Sequence, residues 1–439
     1  MIVHLKGQWK WPIGYFLINK INSTVQAQLM VNALNLLADS GVKVWSVTCD
    51  GTATNISTLQ LLGCNLIAEN FVNMKTFFNH PSRSYKIYAI LDAAHMLKLS
   101  RNTFAEYSDL RIDNDSIQWK YIENLFNLQN ELTLKFKNKL DSNCINWQQN
   151  KMKVRYAAHT LSSSVANALQ FLCANGTKGF ENSESTVTFI KNIDRIFDFL
   201  NSRSPIGKGF KKPLRLADIP SLKIAMEKRI EYLFRLRNSN GQFIYQSRKK
   251  TFIIGFACAI KSILSVAEEL LIQTNYKYLL TYNFSQDYLE IFFSKIRSRH
   301  GFNNNPNAIQ FCSAFKQILL KNRIHVSPAV NCVALNDDTI GSIFKIEWPK
   351  KNKTATADDD TEIEVGTIPT LHLQMKDYIL HYIGGYVVKS LLKTLDCASC
   401  ATVLVLQKND HAYHHSTIYS KFTDLVNNGG LRGLPSVTR

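Results

Sequence analysis

Long apolar runs are scarce in this sequence, and so are the signals of secretion. No stretch reaches the roughly 18 uninterrupted apolar residues of a membrane-spanning helix, and the opening MIVHLKGQWKW lacks the apolar segment of a signal peptide. The nine cysteines are an odd number and mostly lie in apolar runs, like small buried hydrophobic residues, which argues against a disulfide framework. We therefore expect a soluble intracellular protein in a reducing compartment.

Acidic residues are also in short supply, with 34 Asp and Glu against 52 Lys and Arg. The net charge of +18 favours a polyanionic partner such as nucleic acid, although an acidic membrane surface satisfies the same arithmetic. The P-loop pattern, GxxxxGK followed by Ser or Thr, is absent, which excludes that kind of nucleotide site. The 439 residues and 45% hydrophobic content are enough for about two to four domains.

The first hundred residues alternate between strand and helix patterns. The runs IVHLKGQ and PIGYFLI predict a hairpin around a polar corner that ends at Trp11. Ser23, with Gln26 three residues later, predicts the start of a helix, and Gly41 predicts its end. Two strands follow, VKVWSVTC and KIYAIL. Their nearly continuous apolar residues are typical of strands that are covered on both faces.

Each of these two strands ends at an aspartate, Asp50 and Asp92. Open α/β folds bind their ligands at the carboxyl edge of the sheet, and a desolvated acid there is costly unless it meets a cation or a hydrogen-bond donor. We therefore predict that both acids border a site. The alternative is that each acid only caps the helix that follows, near Thr52 for the first strand, and this alternative is stronger for Asp92.

Helical periodicity replaces the strand pattern between Phe104 and Tyr276, which predicts a helical insertion. Its amphipathic segments are predicted at 119–140, 152–173, 187–200 and 219–237. A further boundary follows Arg323, where the charged stretch PKKNKTATADDDTEIE predicts a linker. Helical patterning resumes in the tail from Ile368.

The stretch TYNFSQDYLEIFFSKIRSR predicts an amphipathic helix that starts near Ser285. Its predicted core-facing stripe is spaced i, i+3, i+4 and i+7 and consists of Leu289, Phe292, Phe293 and Ile296. Asp287 and Glu290 lie beside that stripe, three residues apart, so both carboxylates project from one face and predict a cation site. The alternative is a solvated helix whose acids pair with Lys or Arg.

Three motifs resemble those of the P-element and THAP-type DNA transposases: CDG at 49–51, LDAAHMLKLSRN at 91–102 and SQDYLEIFFSKIRSRHGFNNNPNA at 285–308. The similarity extends from the first residues to about Lys321, with weaker likeness in IGGYVVKSLL and FTDLVNNGGLRGLPS. The resemblance implies an α/β fold in which a large all-helical, GTP-binding insertion interrupts an RNase H-like sheet, with a mostly helical C-terminal region. It also implies a nuclear protein that uses Mg²⁺ or Mn²⁺ and GTP, binds DNA at transposon ends and target, and forms homo-oligomers.

The resemblance also implies domain bounds. The RNase H-like domain is expected at 1–110 and 277–330, the helical GTP-binding insertion at 111–276, the linker at 331–367 and the C-terminal transposase region at 368–439.

By the same resemblance, Asp50 takes the position of the family's second catalytic acid, Glu290 that of its last, and Asp287 that of an accessory acid near the metal or nucleotide. Two hard cations held by such carboxylates activate the attacking oxygen and stabilise the leaving oxygen in displacement at phosphorus. The family's first catalytic Asp, on a strand before the opening hairpin, and its zinc-binding THAP domain have no match here. We therefore expect that this polypeptide alone does not transpose DNA.

A guanine-binding segment is implied at Asp198, with Phe197 and Asn201 beside it, because a carboxylate can accept both donors on the guanine edge. Lys153 and Val154 match another stretch that lines the family's nucleotide site. The alternative is a solvated helix acid and an ordinary amphipathic helix. Nothing in these residues predicts GTP hydrolysis.

Basic residues follow the acidic helix, and Lys295, Arg297 and Arg299 are candidate contacts to DNA phosphates. Arg297 could instead neutralise an acid of the same helix. In the tail, Cys397 and Cys400 followed by three histidines resemble a zinc site, with a reduced cysteine pair as the alternative.

Two functions besides transposition stay open. A domesticated DNA- or protein-binding remnant would keep the fold with vestigial acids. A GTP-regulated binding protein would use Asp198 and Asn201 but leave Asp50 and Glu290 idle.

Overall fold

The computed structural model describes residues 1–6, 9–66, 71–299, 301, 303–321, 323–325, 345–347, 370–393 and 420–426. These residues form a mixed α/β fold and are 58% helical. The strands are β1 Ile2–Val3, β2 Lys10–Trp11, β3 Ser46–Cys49, β4 Phe77–Asn79, β5 Lys86–Leu91, β6 Asp109–Ile112, β7 Asp115–Gln118, β8 Arg237–Asn238, β9 Arg323–His325 and β10 Lys345–Glu347. The helices are α1 Ser23–Asp39, α2 Ala53–Leu61, α3 Ala93–Tyr107, α4 Lys120–Leu132, α5 Ser142–Ile145, α6 Val154–Thr160, α7 Ser163–Ala174, α8 Glu184–Leu200, α9 Ile219–Phe234, α10 Thr251–Gln273, α11 Asp287–Ser298, α12 Ala308–Lys321 and α13 Thr370–Leu391.

A parallel strand pair fixes the edge that carries the two predicted acids. β3 runs parallel to β5 with Cys49 opposite Leu91, and β4 pairs antiparallel with the other side of β5. All residues of β5 after Lys86 are buried, as their continuous apolar run predicted. An N-terminal hairpin is also present, as the antiparallel pair β1 and β2. Its second strand is Lys10–Trp11, which was predicted as part of the corner, and PIGYFLI forms no strand, so the predicted position of the second strand is wrong.

The apolar helix α10 covers this sheet. It packs against β5 and α3, and the Ser262 hydroxyl donates a hydrogen bond to the Ala89 carbonyl in β5. By length and composition α10 could span a membrane, but 78% of its most apolar window is buried in the protein, as in the core helix of a soluble protein. Gly255 permits its close approach to α3, because a Cβ there would overlap the side chain of Met96.

Local hydrogen bonds shift several predicted helix boundaries. Asn22, rather than Ser23, caps α1, and its side chain accepts from the Val25 N–H at 2.8 Å. The helix predicted at 152–173 is divided into α6 and α7, because the Ser162 hydroxyl caps the second helix. The small sheet with strand order β7-β6-β8 lies where only helices were predicted, so the middle region is not all-helical.

The contacts divide the chain into two compact units. The first consists of residues 1–116, 148–158 and 192–353 and contains β3, β5, α10 and α11. The second consists of residues 117–147, 159–191 and 354–439. Its core is aromatic, with Phe171 and Phe422 at 5.1 Å between ring centroids and Tyr378 edge-on to Phe171 at 5.0 Å. The predicted domain bounds remain expectations, and Cys397 and Cys400 lie outside the described residues.

Candidate functional site

Asp50 directly follows β3 and is half-buried at the sheet edge. Its Oδ1 accepts hydrogen bonds from the side-chain amide of Asn55 at 2.7 Å and from the backbone N–H of Thr52 at 3.1 Å. Gly51 lets this turn lie against α10, because a Cβ there would be only 2.5 Å from Thr251 Cγ2. The carboxylate is therefore held in place both by hydrogen bonds and by packing.

Asp92 connects the end of β5 to the acidic helix. The residue is 2% exposed, and its N–H donates to the Cys49 carbonyl at 2.9 Å, which sets Asp92 beside the end of β3. Its Oδ2 accepts from the His95 N–H at 2.8 Å and caps α3, while its Oδ1 accepts from the Gln286 N–H at 3.0 Å, just before α11. The helix-cap alternative is thus correct for one oxygen, and the other oxygen ties α11 to the sheet edge.

The acidic helix α11 begins at Asp287, and both of its acids lie in its first turn. Asp287 is 4% exposed and Glu290 is half-buried. A negative charge is favourable at this end of a helix because the helix dipole is positive there. The assignment of Phe293 to the core stripe is wrong, since its side chain is 40% exposed. The buried apolar residues of the helix are Tyr288, Ile291, Phe292 and Ile296.

Acids from three elements of the fold influence one another electrostatically. Burial raises the pKa of Asp92 to about 6, and the charges of Asp287 and Glu290 add to this rise. Burial lowers the pKa of His95, whereas the charges of Asp50 and Glu290 oppose that shift. Asp50 from the sheet edge and Glu290 from the later helix thus both contribute to the electrostatic environment of His95.

The predicted metal ligands Asp50, Asp287 and Glu290 do not form a closed three-ligand site by themselves. Among the described residues, oxygens from these three carboxylates do not all lie within 4.8 Å of one another. Their donor type nevertheless suits Mg²⁺, which prefers oxygen ligands and retains several waters. The raised pKa of Asp92 reflects a carboxylate buried next to other acids, and a cation would favour its ionised form. The donor chemistry therefore fits a divalent cation.

The nucleotide candidate Asp198 lies near the end of α8 and is not a fully solvated acid. Its side chain is 21% exposed, and its Oδ1 is 3.4 Å from the Lys211 ammonium. Burial raises its pKa to about 6, Asp194 adds to the rise and Lys211 opposes it. A desolvated carboxylate gains from hydrogen-bond donors such as those of a guanine edge. Phe197 and Asn201 beside it are half-buried.

The other nucleotide candidates, Lys153 and Val154, lie at the start of α6. Lys153 is exposed, with its ammonium 5.6 Å from the centroid of the Tyr156 ring, and Val154 is 9% exposed. Both belong to the same compact unit as Asp198. Whether the two stretches line one ligand remains a prediction.

The segment that follows α8 is tied to the residues before α11 by contacts that the sequence did not reveal. The Ser202 N–H donates to Thr281 Oγ1 at 2.9 Å, and this hydroxyl donates to the Phe199 carbonyl at 2.7 Å. The hydroxyl of Thr281 is completely buried, so these bonds are shielded from water. They fix the nucleotide candidate segment next to the acidic helix.

Arg203 extends this connection to the acids. Its guanidinium lies over the Tyr282 ring, 4.0 Å from the centroid, and donates to Asp287 Oδ2 at 3.0 Å. Its Nε also donates to Asn201 Oδ1 at 3.1 Å. One arginine thus contacts both a predicted guanine-site residue and a predicted catalytic residue. In the sequence, the only indication of a role for Arg203 was its position two residues after Asn201, in the segment FDFLNSR at 197–203.

The predicted DNA contacts Lys295, Arg297 and Arg299 are half-buried at the end of α11, away from the acids of its first turn. Burial lowers the pKa of Lys295 to about 8, and the charge of Arg299 adds to this shift. A bound phosphate would favour the charged form of Lys295. Their contact with DNA stays a prediction.

A cavity of about 410 Å³ borders the free edge of β3. Among the described strands β3 pairs with β5 alone, so its other edge faces the cavity. The lining is mostly apolar and includes Ile2 and Val3 of β1, Val47 of β3, and Leu289 of α11.

Parallel strands that end in acids, together with an acidic helix from later in the chain, define the class of proteins with RNase H-like catalytic folds. Family models agree with that class. The TNP-like RNase H N-terminal domain matches residues 1–63, the TNP-like GTP-binding insertion domain 94–213, the TNP-like RNase H C-terminal domain 282–316, and the C-terminal domain of DNA transposase THAP9 371–438.

Two curated relatives match most of the chain. The human DNA transposase THAP9 is 28% identical over 420 residues, which cover 92% of this chain and 46% of the human protein. The Transposable element P transposase of Drosophila melanogaster is 25% identical over 408 residues, which cover 88% of this chain and 50% of the fly protein. The chain therefore spans about half the length of these relatives.

A solved structure shares the fold. The Drosophila P element transposase strand transfer complex gives a TM-score of 0.61 at 24% identity and covers 71% of this chain and 67% of that chain. Together with the family models, the two relatives support a P-element/THAP-type transposase. The resemblance inferred from the motifs is confirmed, and so is the RNase H-like α/β fold with a GTP-binding insertion.

Proposed function

We propose that this chain is the core of a DNA transposase that cleaves and joins DNA strands at a divalent-metal site formed by Asp50 and Glu290, with Asp287 as an accessory acid. The observation that carries the proposal is the hydrogen bond from the Gln286 N–H to Asp92 Oδ1 at 3.0 Å, which ties the start of the acidic helix to the sheet edge where Asp50 follows β3. Like charges repel each other, so the fold gains no stability when it brings Asp50 and Glu290 together from distant parts of the sequence. Such an arrangement is typical of a cation site.

Bound Mg²⁺ or Mn²⁺ would activate the attacking oxygen and stabilise the leaving oxygen of a phosphodiester. The chain's own residues orient the ligands: Asn55 and Thr52 hold Asp50, and Arg203 holds Asp287. The family's first catalytic Asp has no match among these residues. The cavity beside β3 supports the view that a further strand completes this sheet, because it offers an open backbone edge and an apolar lining.

We further propose that GTP binds as a cofactor at Asp198, Phe197 and Asn201, with Lys153 and Val154 also lining the site. The support is the match of residues 94–213 to a GTP-binding insertion domain and the desolvated state of Asp198. Asp198 would accept from the guanine edge, which distinguishes guanine from adenine.

DNA is the proposed substrate, in keeping with the net charge of +18 and with the relatives, which are DNA transposases. Lys295, Arg297 and Arg299 would contact phosphates at the other end of α11, about two helical turns beyond the acids. We propose a nuclear location, because the proposed substrate is genomic DNA, and a homo-oligomer, because a transposon has two ends to cut.

Metal binding by the purified full chain tests the proposed site. We expect Mn²⁺ affinity, measured from the electron paramagnetic resonance signal of free Mn²⁺, to fall at least about tenfold in Asp50→Asn and in Glu290→Gln. Asp39→Asn is the matched control, because that side chain is 67% exposed and lies in a surface ion pair. Equal Mn²⁺ binding by all four proteins would reject the site. Nicking of plasmid DNA by the wild-type chain would instead show that its acids suffice.

Calorimetry with GTP and ATP tests the nucleotide assignment separately. Wild type should bind GTP in preference to ATP, and Asp198→Ala should lose that preference. If both proteins bind GTP equally, the guanine assignment fails. If GTP binds but Mn²⁺ does not, the chain is a GTP-regulated binding protein rather than a transposase core, and if neither binds it is a remnant.

A further inference from the structure

A carboxylate, a thiol and an imidazole lie close together outside the sheet edge, and these three groups are common ligands of transition metals. Asp141, Cys144 and His159 each place one ligand atom within 4.8 Å of the other two. Cys144 is completely buried, while Asp141 and His159 are half-buried. We propose that Asp141, Cys144 and His159 bind a Zn²⁺ ion. This zinc site is separate from the acids proposed for catalysis and does not depend on them.

Local structure brings two of the three ligands to one side. Asp141 precedes α5 and Cys144 lies in its single turn, three residues later, so both side chains project from the same face. The orientation of Asp141 is fixed because its Oδ1 accepts from the Cys144 N–H at 3.0 Å. A carboxylate has two oxygens with several lone pairs, so the cap still leaves acceptor capacity for a metal. His159 comes from the last turn of α6.

The donor types select zinc over the hard cations. Thiolate, imidazole and carboxylate are the usual zinc ligands, with bonds of about 2.0–2.3 Å, so a tetrahedral ion would hold them about 3.3–3.8 Å apart. The observed spacing, within 4.8 Å, needs a contraction of up to about 1.5 Å. One thiolate and one carboxylate also balance the charge of Zn²⁺. Mg²⁺ and Ca²⁺ prefer oxygen ligands throughout, so neither suits a buried sulfur.

Zinc binding can also be detected by the proton that the Cys144 thiol releases. A thiol that binds no metal holds its proton at neutral pH, because the ordinary pKa of cysteine is about 8.5. Zinc binds the thiolate, so that proton leaves Cys144 for the solvent as the Zn–S bond forms. Zinc binding should release about one proton per ion, which calorimetry in buffers of different ionisation enthalpy measures.

Cobalt titration of the full chain tests the site directly. The parent for the test carries Cys397→Ser and Cys400→Ser, which removes the cysteine pair of the tail. After metal removal, the parent should bind one Co²⁺ with a thiolate-to-cobalt absorption band, and Zn²⁺ should displace it. Cys144→Ser should lose the band, and His159→Gln should bind at least about 100-fold more weakly. Cys173→Ser is the matched control, because Cys173 Sγ also lies beside a carboxylate, 3.2 Å from Glu184 Oε1.

The outcomes decide the proposal. Loss of binding in Cys144→Ser and His159→Gln, with binding retained in Cys173→Ser, supports the zinc site. A parent that shows no cobalt band overturns it, and so does a band that persists in either ligand variant. Circular dichroism checks that the variants fold. If the buried Cys144→Ser change prevents folding, the half-buried His159→Gln variant decides alone.

Discussion

The guanidinium of Arg203 donates a hydrogen bond to Asp287 Oδ2 at 3.0 Å and so joins residues that are 84 positions apart in the chain. Both side chains are largely buried, with 20% of Arg203 and 5% of Asp287 exposed. The ion pair links the segment after Asp198 to the first turn of α11. Because a buried charge is costly without its partner, this pair holds the acidic helix in register with the rest of the site.

Replacement of Arg203 should therefore destabilise the protein strongly. Arg203→Met leaves Asp287 buried without its cation, and we expect the free energy of unfolding to fall by about 3 kcal/mol or more. Arg83→Met is the matched control, because Arg83 pairs with Asp39 at 2.9 Å while both side chains are at least half exposed. That surface pair should contribute about 1 kcal/mol or less. Chemical denaturation measures both values, and equal losses would show that the buried pair is not special.

The raised pKa of Asp92 predicts how stability depends on pH. The ordinary pKa of 3.8 applies to the unfolded chain and a pKa of about 6 to the folded protein, so the folded state holds this proton more tightly. The resulting stability is complete below the unfolded pKa and is lost as pH rises through the folded pKa, by on the order of 3 kcal/mol. Asp92→Asn, which keeps the cap acceptor but cannot ionise, should not show this loss.

Denaturation of wild type and Asp92→Asn at about pH 4 and about pH 7 measures the effect as a difference between the two proteins. This comparison removes contributions that both proteins share, such as the similar shift of Asp198. Saturating Mn²⁺ should reduce the loss in wild type, since a cation favours the ionised carboxylate. Parallel stability curves for the two proteins would mean that Asp92 does not titrate as expected.

An added methyl group at Gly255 should weaken the packing of α10 against α3 and so lower the stability of the protein. A Cβ there overlaps Met96, which costs about 1–3 kcal/mol in a packed core, whereas alanine regains about 1 kcal/mol of helix propensity. We expect Gly255→Ala to destabilise by up to about 2 kcal/mol, and Met96→Ala in the same chain to recover part of that loss.

Gly14→Ala is the control for this change, because a Cβ at Gly14 meets no described atom within 4 Å. Its effect on the melting temperature should be close to zero. A Gly255→Ala protein as stable as wild type would show that Met96 moves aside freely.

Two neighbouring phenylalanines of α11 should differ sharply in their contribution to stability. Phe292 is 3% exposed and packs in the cluster of α11 and α12, whereas Phe293 is 40% exposed. Phe292→Ala should cost about 3–5 kcal/mol because it leaves a cavity, and Phe293→Ala about 1 kcal/mol or less. Urea denaturation compares the two. Similar losses of stability in the two variants would mean that α11 does not bury Phe292 and expose Phe293 in this way.

The sequence indicated correctly that Asp50 and Asp92 meet at one edge of the sheet, because parallel strands that each end at an acid bring those acids together. The pairing of Cys49 with Leu91 shows why Asp50 and Asp92 adjoin. Periodicity also located α11, but it misplaced Phe293, because a spacing of i, i+4 leaves the exact direction of the stripe open by one residue.

The sequence by itself determined the strand ends, the acidic helix and the family, since these depend on local patterns and on motif strings. Tertiary structure alone decided that Arg203 pairs with Asp287, that Asp92 binds the Gln286 N–H, and that His159 meets Cys144. Each of these contacts joins segments whose approach depends on how whole helices and strands pack. No local periodicity encodes such a distance, so only the folded chain reveals it.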